Sequence, residues 1–134
     1  MIEIDVNINP KAQARHRTTK SGHTYDPSAK DKKILKYKLV KFKPKTPFAG
    51  DIMIKVIFTI PYKKYHYRTG KYKHLLKDDS LQYVSTRPDL DNYIKLLLDC
   101  LNKDFFCDDS QVVRIQAEKI YGRKGKIEAI IEEI

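Results

Sequence analysis

The chain has 134 residues and a mass of 15.7 kDa, with 41% hydrophobic and 33% charged residues. That length predicts a single domain, residues 1–134, and the composition is that of a globular protein rather than a disordered or fibrous one. The only two cysteines, Cys100 and Cys107, form neither a disulfide framework nor a zinc motif. No apolar run is long enough to cross a membrane and no signal peptide opens the chain, so a cytoplasmic protein is expected.

The charge is unevenly distributed. Residues 1–87 contain 20 Lys and Arg against 7 Asp and Glu, or +13, whereas residues 88–134 contain 7 against 10, or −3, which together give the net +10. A surplus of this size attracts phosphate polyanions. Carboxylates gathered in one segment are typical of an enzyme that places a divalent metal against a phosphate.

The first sixty residues predict two strands and one helix. Residues 2–8 alternate between apolar and polar side chains, which indicates a half-buried strand. Residues 11–25 are too polar for a core and predict a basic loop or an open hairpin. A weakly amphipathic helix is expected over residues 28–42, and the strong alternation over residues 51–60 predicts a second strand.

The second half predicts a long loop, a helix and two strands. Residues 61–87 mix tyrosine with lysine and arginine and show no sustained period. Residues 89–102 form an amphipathic helix whose apolar face is Leu90, Ile94, Leu97, Leu98 and Leu101. A turn at 105–110 leads to strands at 111–121 and 127–134, which a glycine-containing turn joins as a terminal hairpin. Together the elements indicate an α/β (α+β) domain with a small mixed sheet flanked by two helices.

Carboxylates surround this second helix and have two interpretations. In the ordinary one, Asp89 caps the helix, Asp91 favours its dipole and pairs with Lys95, and Asp108 with Asp109 forms a common turn. In the functional one, the aspartates hold Mg²⁺ through oxygen ligands, and the lysine neutralises charge that develops on a phosphate. A helix over residues 89–102 is about 20 Å long, so Asp109 must return along it to reach Asp91, and residues 105–111 are long enough to permit this.

The segment RPDLDNYIKLLLDCLNKDFFCDDSQVVRIQAEKIY, residues 87–121, closely resembles the signature region of the RusA-like Holliday junction resolvases, which are endodeoxyribonucleases of bacteria and their phages. The match includes the Pro-Asp-Leu-Asp-Asn opening, a lysine four residues after the second aspartate, and the Asp-Asp-Ser-Gln-Val block. A Lys and a Tyr follow in the next strand. The basic segment from Pro10 to Arg17, with GHTYDP downstream, is also similar to the first basic segment of that family.

The resemblance implies a homodimeric RusA-like protein that binds four-way DNA junctions and makes paired, symmetric nicks with Mg²⁺ or Mn²⁺ in recombination and repair. A roughly two-fold junction needs two active sites related by two-fold rotation, which gives a physical reason for the dimer. Carried over by position, the metal-binding catalytic carboxylates are Asp89, Asp91 and Asp109, the essential lysine is Lys95, the supporting residues are Asn92 and Asp108, and the DNA-binding residues are Lys11, Arg15, Arg17 and Lys20.

Other interpretations stay open at this point. The chain could be a non-catalytic basic nucleic-acid-binding module, or an endonuclease for other branched DNA. The tyrosines of the long loop, Tyr62, Tyr65, Tyr67 and Tyr72, could stack on unpaired bases or pack on their own fold. No glycine-rich phosphate loop is present, so no nucleotide cofactor is expected, and no membrane partner is expected either.

Overall fold

A four-stranded mixed sheet and two helices form the framework of the protein. The computed structural model describes residues 1–78 and 81–134. Its strands are β1 (Ile2–Val6), β2 (Arg17–Thr18), β3 (Thr24–Tyr25), β4 (Ile52–Pro61), β5 (Val112–Gly122) and β6 (Lys126–Glu133), and its helices are α1 (Ala29–Leu39) and α2 (Leu90–Leu101). The α+β class, the mixed sheet and the two helices predicted from the sequence are confirmed. In the described part of the chain, no helix is long and apolar enough to cross a membrane.

The large sheet has the strand order β1-β6-β4-β5. β4 and β5 run parallel, whereas β6 runs antiparallel to both β4 and β1. The predicted terminal hairpin is therefore wrong, because β4 lies between the last two strands. The chain crosses the end of β4 at Gly122, whose carbonyl accepts a hydrogen bond from the Tyr62 amide at 2.9 Å. A Cβ at Gly122 would lie only 2.5 Å from Thr59 Cγ2, so the crossing requires glycine.

The core lies between this sheet and the helices. Alternate residues of β4, among them Ile54, Val56 and Phe58, are buried in one cluster with Leu97 and Leu101 of α2. The strand period of two directs one apolar row of β4 towards the helices, and the 3.6-residue period of α2 supplies the matching stripe. α1 is shorter than predicted, since the chain tightens into a 3₁₀ turn over Val40–Phe42.

The strand directions define two ends of the sheet. The pairs Val6 with Ile127, Thr59 with Lys126, and Ile60 with Tyr121 place the ends of β1, β4 and β5 together with the start of β6. We call this the site end. β5 begins at the opposite end, where Val112 pairs with the start of β4. The basic segment after β1 forms the small β2–β3 hairpin, which confirms the predicted open hairpin.

Candidate active site

The amino-terminal turn of α2 presents two carboxylates that have no side-chain partner in the described part of the chain. Asp89 occupies the N-cap position with an extended backbone, but its side chain makes no capping hydrogen bond. Asp91 lies in the first turn and is exposed, as is Lys95 one turn later. Within residues 1–78 and 81–134, no ion pair or side-chain hydrogen bond involves any of the three. The capping bond and the Asp91–Lys95 ion pair of the ordinary interpretation are therefore absent.

Packing against the core fixes the direction of these side chains. Tyr93, two residues after Asp91, is buried, and its ring centre lies 5.6 Å from that of Phe58 on β4. Positions 91 and 95 are four residues apart and so share a face of the helix, on the side away from the core. The helix thus holds a carboxylate and an ammonium group side by side in solvent.

Lys119 of β5 attaches the segment before α2 to the sheet. Its ammonium group donates hydrogen bonds to the carbonyl oxygens of Thr86 and Pro88, both at 2.7 Å. Its own carbonyl accepts a bond from the Val84 amide at 3.1 Å. These three bonds lead the chain to Asp89 at the site end. The sequence showed a lysine here as part of the family resemblance, but strand periodicity gave no indication that it binds two carbonyls.

The first basic segment is anchored beside the same helix turn. The Gln13 amide donates to the carbonyl of Asn92 at 2.9 Å, and the Ala14 amide donates to Ser28 Oγ at 2.9 Å. Lys11 and Arg15 flank this attachment and are exposed. Asn92, predicted as a supporting residue, therefore acts here through its main-chain carbonyl. Two of the predicted DNA-binding residues consequently lie near the aspartates of α2.

The other two basic residues lie farther along the segment. Arg17 is on β2 and Lys20 is in the turn between β2 and β3, and both are exposed. All four cations are therefore exposed, and Lys11 and Arg15 are the two that flank the attachment to α2.

A partly buried ion-pair network supports this arrangement, and sequence reasoning missed it. Lys32 of α1 contacts Asp26 at 2.7 Å and Asp99 of α2 at 2.9 Å, and Gln13 Nε2 donates to Asp26 at 2.9 Å. The hydrogen bond from Lys32 lowers the pKa of Asp26 to about 2. Burial disfavours the charged form of Lys32, but the two carboxylates outweigh it and raise the pKa of Lys32. The network joins the basic segment to both helices, and no short-range spacing in the sequence marks it.

Asp108 and Asp109 lie in the 3₁₀ turn before β5. Asp108 caps this turn, because its carboxylate accepts from the Ser110 amide at 3.1 Å and its own amide donates to Gln111 Oε1 at 2.8 Å. The bond from Ser110 lowers the pKa of Asp108. Gln111 Nε2 donates to the carbonyls of Phe48 and Gly50, both at 2.9 Å. The turn is thus fixed, and Asp109 is left exposed without a partner in the described residues.

The structure does not bring Asp109 to Asp89 and Asp91 within one chain. The turn after α2 is held at the helix carboxyl end by Phe105 and Phe106, which are both buried, so it does not return along the helix. β5 runs back instead, and the seven steps from Val112 to Lys119 span roughly 23 Å. In the described part of the chain, no three His, Cys, Asp or Glu side chains are grouped so that they could hold a metal ion.

The donor chemistry at α2 nevertheless suits a hard cation. Asp89, at the N-cap, and Asp91, two residues later, offer four carboxylate oxygens that make no hydrogen bond or ion pair within the described residues. Mg²⁺ prefers one or two protein carboxylates, several waters and substrate phosphate oxygens rather than a closed protein cage. These two residues therefore fit the protein's share of a Mg²⁺ site, and any third carboxylate has to come from outside this helix turn.

The tyrosine-rich segment divides into packed and exposed rings. Tyr62 stacks on Tyr121 of β5 with ring centres 5.2 Å apart and planes 7° apart, and Tyr67 meets Tyr62 edge to face at 6.1 Å. Tyr65 and Tyr72 are 64% and 49% exposed. The segment is not a plain loop, since it contains two short 3₁₀ turns, and a β-bridge joins Tyr67 and Leu76 on either side of the second turn. Tyr62 and Tyr67 pack on their own fold, while the two exposed rings stay available at the site end.

Comparison with known proteins identifies the family of the chain. The family model for the endodeoxyribonuclease RusA matches residues 7–132, so the chain belongs to the RusA endodeoxyribonuclease family, a family of nucleases. The crossover junction endodeoxyribonuclease rusA of Lactococcus phage r1t is 34% identical over 111 residues, which cover 82% of this chain and 77% of the phage protein. Uncharacterized protein YqaN of Bacillus subtilis (strain 168) is 32% identical over 139 residues, which cover 99% of this chain and 96% of that protein. RusA-type nucleases generally depend on a divalent metal ion.

Proposed function

We propose that this protein is a Mg²⁺-dependent endonuclease that resolves four-way DNA junctions by paired, symmetric nicks. The observation that carries the proposal is the amino-terminal turn of α2. Two carboxylates that have no partner among the described residues lie there with Lys95, beside a basic segment anchored through Gln13. Membership of a nuclease family and similarity to a phage crossover junction endodeoxyribonuclease support it. We further propose that it acts in recombination and repair in a bacterial cytoplasm, encoded by a phage, a prophage or the host.

The active site in this proposal contains residues of two copies. Asp89 follows the segment that Lys119 binds, whereas Asp109 precedes Val112, and the part of β5 from Val112 to Lys119 spans roughly 23 Å. A two-fold dimer that sets two copies of β5 side by side in opposite directions brings Asp109 of the second copy to the site end of the first. Each dimer then has two composite sites, as paired cleavage requires. Asp108 supports Asp109 by fixing its turn.

Each group has a defined role. The three carboxylates would hold the metal ion, which when bound polarises a phosphate and lowers the pKa of a bound water. Lys95 stabilises negative charge on the non-bridging phosphate oxygens in the transition state. The exposed cations Lys11, Arg15, Arg17 and Lys20 bind DNA phosphates and orient the strand towards α2.

Removing one preorganised charge of this kind typically lowers the rate about 10² to 10³-fold. We expect Lys95→Met to lose activity to that extent. Lys33→Met is a suitable control, because Lys33 is an exposed lysine of α1.

The test is a denaturing gel of a labelled four-way junction incubated with and without Mg²⁺. Parallel lanes contain a three-way junction, a linear duplex and the Asp91→Asn variant. We expect paired nicks in the four-way junction alone and none with the variant, which should still bind the junction equally well or more tightly because a charge that repels DNA is gone. Binding without products over a range of metals and junction sequences would contradict the proposal and indicate a binding module. Equal cleavage of the three-way junction would indicate a general branched-DNA endonuclease.

A further inference from the structure

Residues 62–77 fold into an irregular hairpin, which we call the aromatic hairpin. The Arg68 amide donates to the Leu75 carbonyl and the Lys77 amide donates to the His66 carbonyl, both at 2.8 Å. The hairpin contains six Lys and Arg residues and no Asp or Glu, and all six cations are exposed. It is therefore a fixed surface element whose charge attracts phosphate groups.

A column of aromatic rings runs from β5 to the surface of the aromatic hairpin. Tyr62 stacks on Tyr121 of β5 at 5.2 Å, and the His66 ring meets these two rings edge to face at 5.7 and 4.9 Å. The His66 ring is also held from its own turn, because its Nδ1 accepts a hydrogen bond from the Lys63 amide at 2.8 Å. Tyr65 lies against His66 with ring centres 4.3 Å apart. Each ring in the column thus fixes the position of the next.

Tyr65 is the outermost ring of the column, and it is 64% exposed. In the described part of the chain, His66 is the only ring that contacts it, and no cation lies over it. A nucleobase is a flat aromatic ring, so a base stacked on Tyr65 would continue the column. Exposed aromatic rings beside cations that follow the backbone are the usual elements of single-stranded nucleic acid binding.

The column stands beside the amino-terminal turn of α2. Tyr121 and Lys119 are two residues apart, so they lie on the same face of β5 and about 7 Å apart along it. Lys119 binds the carbonyls of Thr86 and Pro88, which lead directly into Asp89. A DNA strand whose phosphate lies at this turn therefore has its neighbouring nucleotides near the column. A base inside a duplex is covered on both faces, so only an unpaired base is free to stack there.

We propose that the aromatic hairpin is a stacking site for an unpaired base at the branch point of the DNA substrate. Tyr65 contacts the base, and the exposed cations of the hairpin bind the phosphates on either side of it. Stacking tolerates any base, because every base has a π face, so the site distinguishes branched DNA from duplex DNA rather than one sequence from another. The inference rests on the proposed function for the choice of branched DNA as the substrate.

The first test compares binding to a labelled four-way junction and to a linear duplex, without divalent metal so that no strand is cut. Tyr65→Leu should weaken junction binding about 5 to 100-fold, which is the range for the loss of one base–aromatic stack. Its duplex Kd should change by less than about twofold, since phosphate contacts dominate there. Tyr65→Trp should bind the junction as tightly as the wild type, because its ring also stacks.

Tyr37→Leu is the matched control, since Tyr37 is an 83% exposed tyrosine on α1, outside the aromatic hairpin. It should bind both DNAs as the wild type does, and all three variants should keep the wild-type circular dichroism spectrum. An equal effect of Tyr65→Leu on the junction and the duplex, or no effect on either, would overturn the inference.

Photo-cross-linking tests the contact itself. 5-Iododeoxyuridine, which on irradiation bonds to an aromatic side chain stacked on it, replaces one thymidine at a time at the branch point or in the middle of an arm. Mass spectrometry should locate the cross-link from a branch-point position at Tyr65 and find none there from the middle of an arm. Cross-links from every branch-point position that lie only outside residues 62–77 would contradict the proposed stacking site.

Failure of this inference and failure of the proposed function can be told apart. A protein that binds junctions through Tyr65 but cuts none would refute the proposed nuclease function and leave the stacking site. Cleavage of four-way junctions by Tyr65→Leu with wild-type rate and affinity would refute the stacking site and leave the function.

Discussion

Lys119 connects the sheet to the segment that leads into the amino-terminal turn of α2, the proposed catalytic turn, and replacing it with methionine tests that connection. Its ammonium group lies 2.7 Å from two carbonyl oxygens, those of Thr86 and Pro88. Hydrogen bonds to a charged group contribute about 1.5–3 kcal/mol each, and solvent screening at the partly exposed Lys119 reduces the two together to roughly 2 kcal/mol. For a domain of this size that corresponds to a decrease in Tm of about 6–8 °C.

The cleavage rate of Lys119→Met should fall by more than its loss of folded protein explains. A displacement of about 1 Å at a reacting group can lower a rate about 100-fold, and Asp89 is the residue directly after the tethered Pro88. We expect Lys119→Met to lower the single-turnover cleavage rate of a four-way junction about 10 to 100-fold at a temperature where the variant is fully folded. The junction Kd without metal should change by less than about twofold, since Lys119 is not part of the basic segment.

Lys55→Met is the matched control, because Lys55 is an exposed lysine on the neighbouring strand with no hydrogen bond or ion pair in the described residues. It should cleave and melt as the wild type does. Equal cleavage rates for the two variants, or a loss in Lys119→Met that only follows the unfolded fraction, would refute the positioning role.

Three further predictions concern stability and DNA binding. The folded pKa of Asp26, about 2, lies below its ordinary value of 3.8. The pairing of Asp26 with Lys32 therefore stabilises the fold above pH 3.8, and this stabilisation is lost as the pH falls towards 2. In urea titrations, Asp26→Asn should lower the free energy of unfolding by on the order of 1–2 kcal/mol at pH 7 and by less at pH 3. A Cβ at Gly125 would lie 2.6 Å from Asn9 Cα, so Gly125→Ala should destabilise the fold by about 1–3 kcal/mol in the same assay, and an unchanged midpoint would contradict the close contact. Arg15→Gln should reduce the slope of log Kd against log salt by about 0.9 in fluorescence anisotropy, and an unchanged slope would exclude a phosphate contact.

Local hydrophobic patterns predicted the strands and helices. They did not predict the strand order, because it depends on pairing between segments far apart in the chain. The strands β1 and β4 and the helix α2 follow from periods of 2 and 3.6 residues, which a short window contains. The partner of a strand depends on contacts far apart in the chain. The two last strands therefore suggested a hairpin, although the turn at Gly122 passes over the end of β4.

In the candidate site, too, local spacing predicted some positions and tertiary structure determined the others. Asp89, Asp91 and Lys95 are neighbours on one helix turn, so their spacing alone places them together. The position of Asp109 depends on the direction of β5, which the sequence did not determine. The tethering role of Lys119 also depends on tertiary structure, because its two acceptors are main-chain carbonyls more than thirty residues away.

Mixing two inactive variants tests the composite site most directly. Asp91→Asn and Asp109→Asn are each expected to be inactive on a four-way junction in the presence of Mg²⁺. In a mixed dimer, the Asp109→Asn copy keeps its own Asp89 and Asp91 and receives an intact Asp109 from the Asp91→Asn copy. One of the two sites is then complete, so the mixture should regain cleavage and nick one strand per junction. A mixture that exchanges subunits and stays inactive, while the wild type cleaves, would contradict a site shared between two copies.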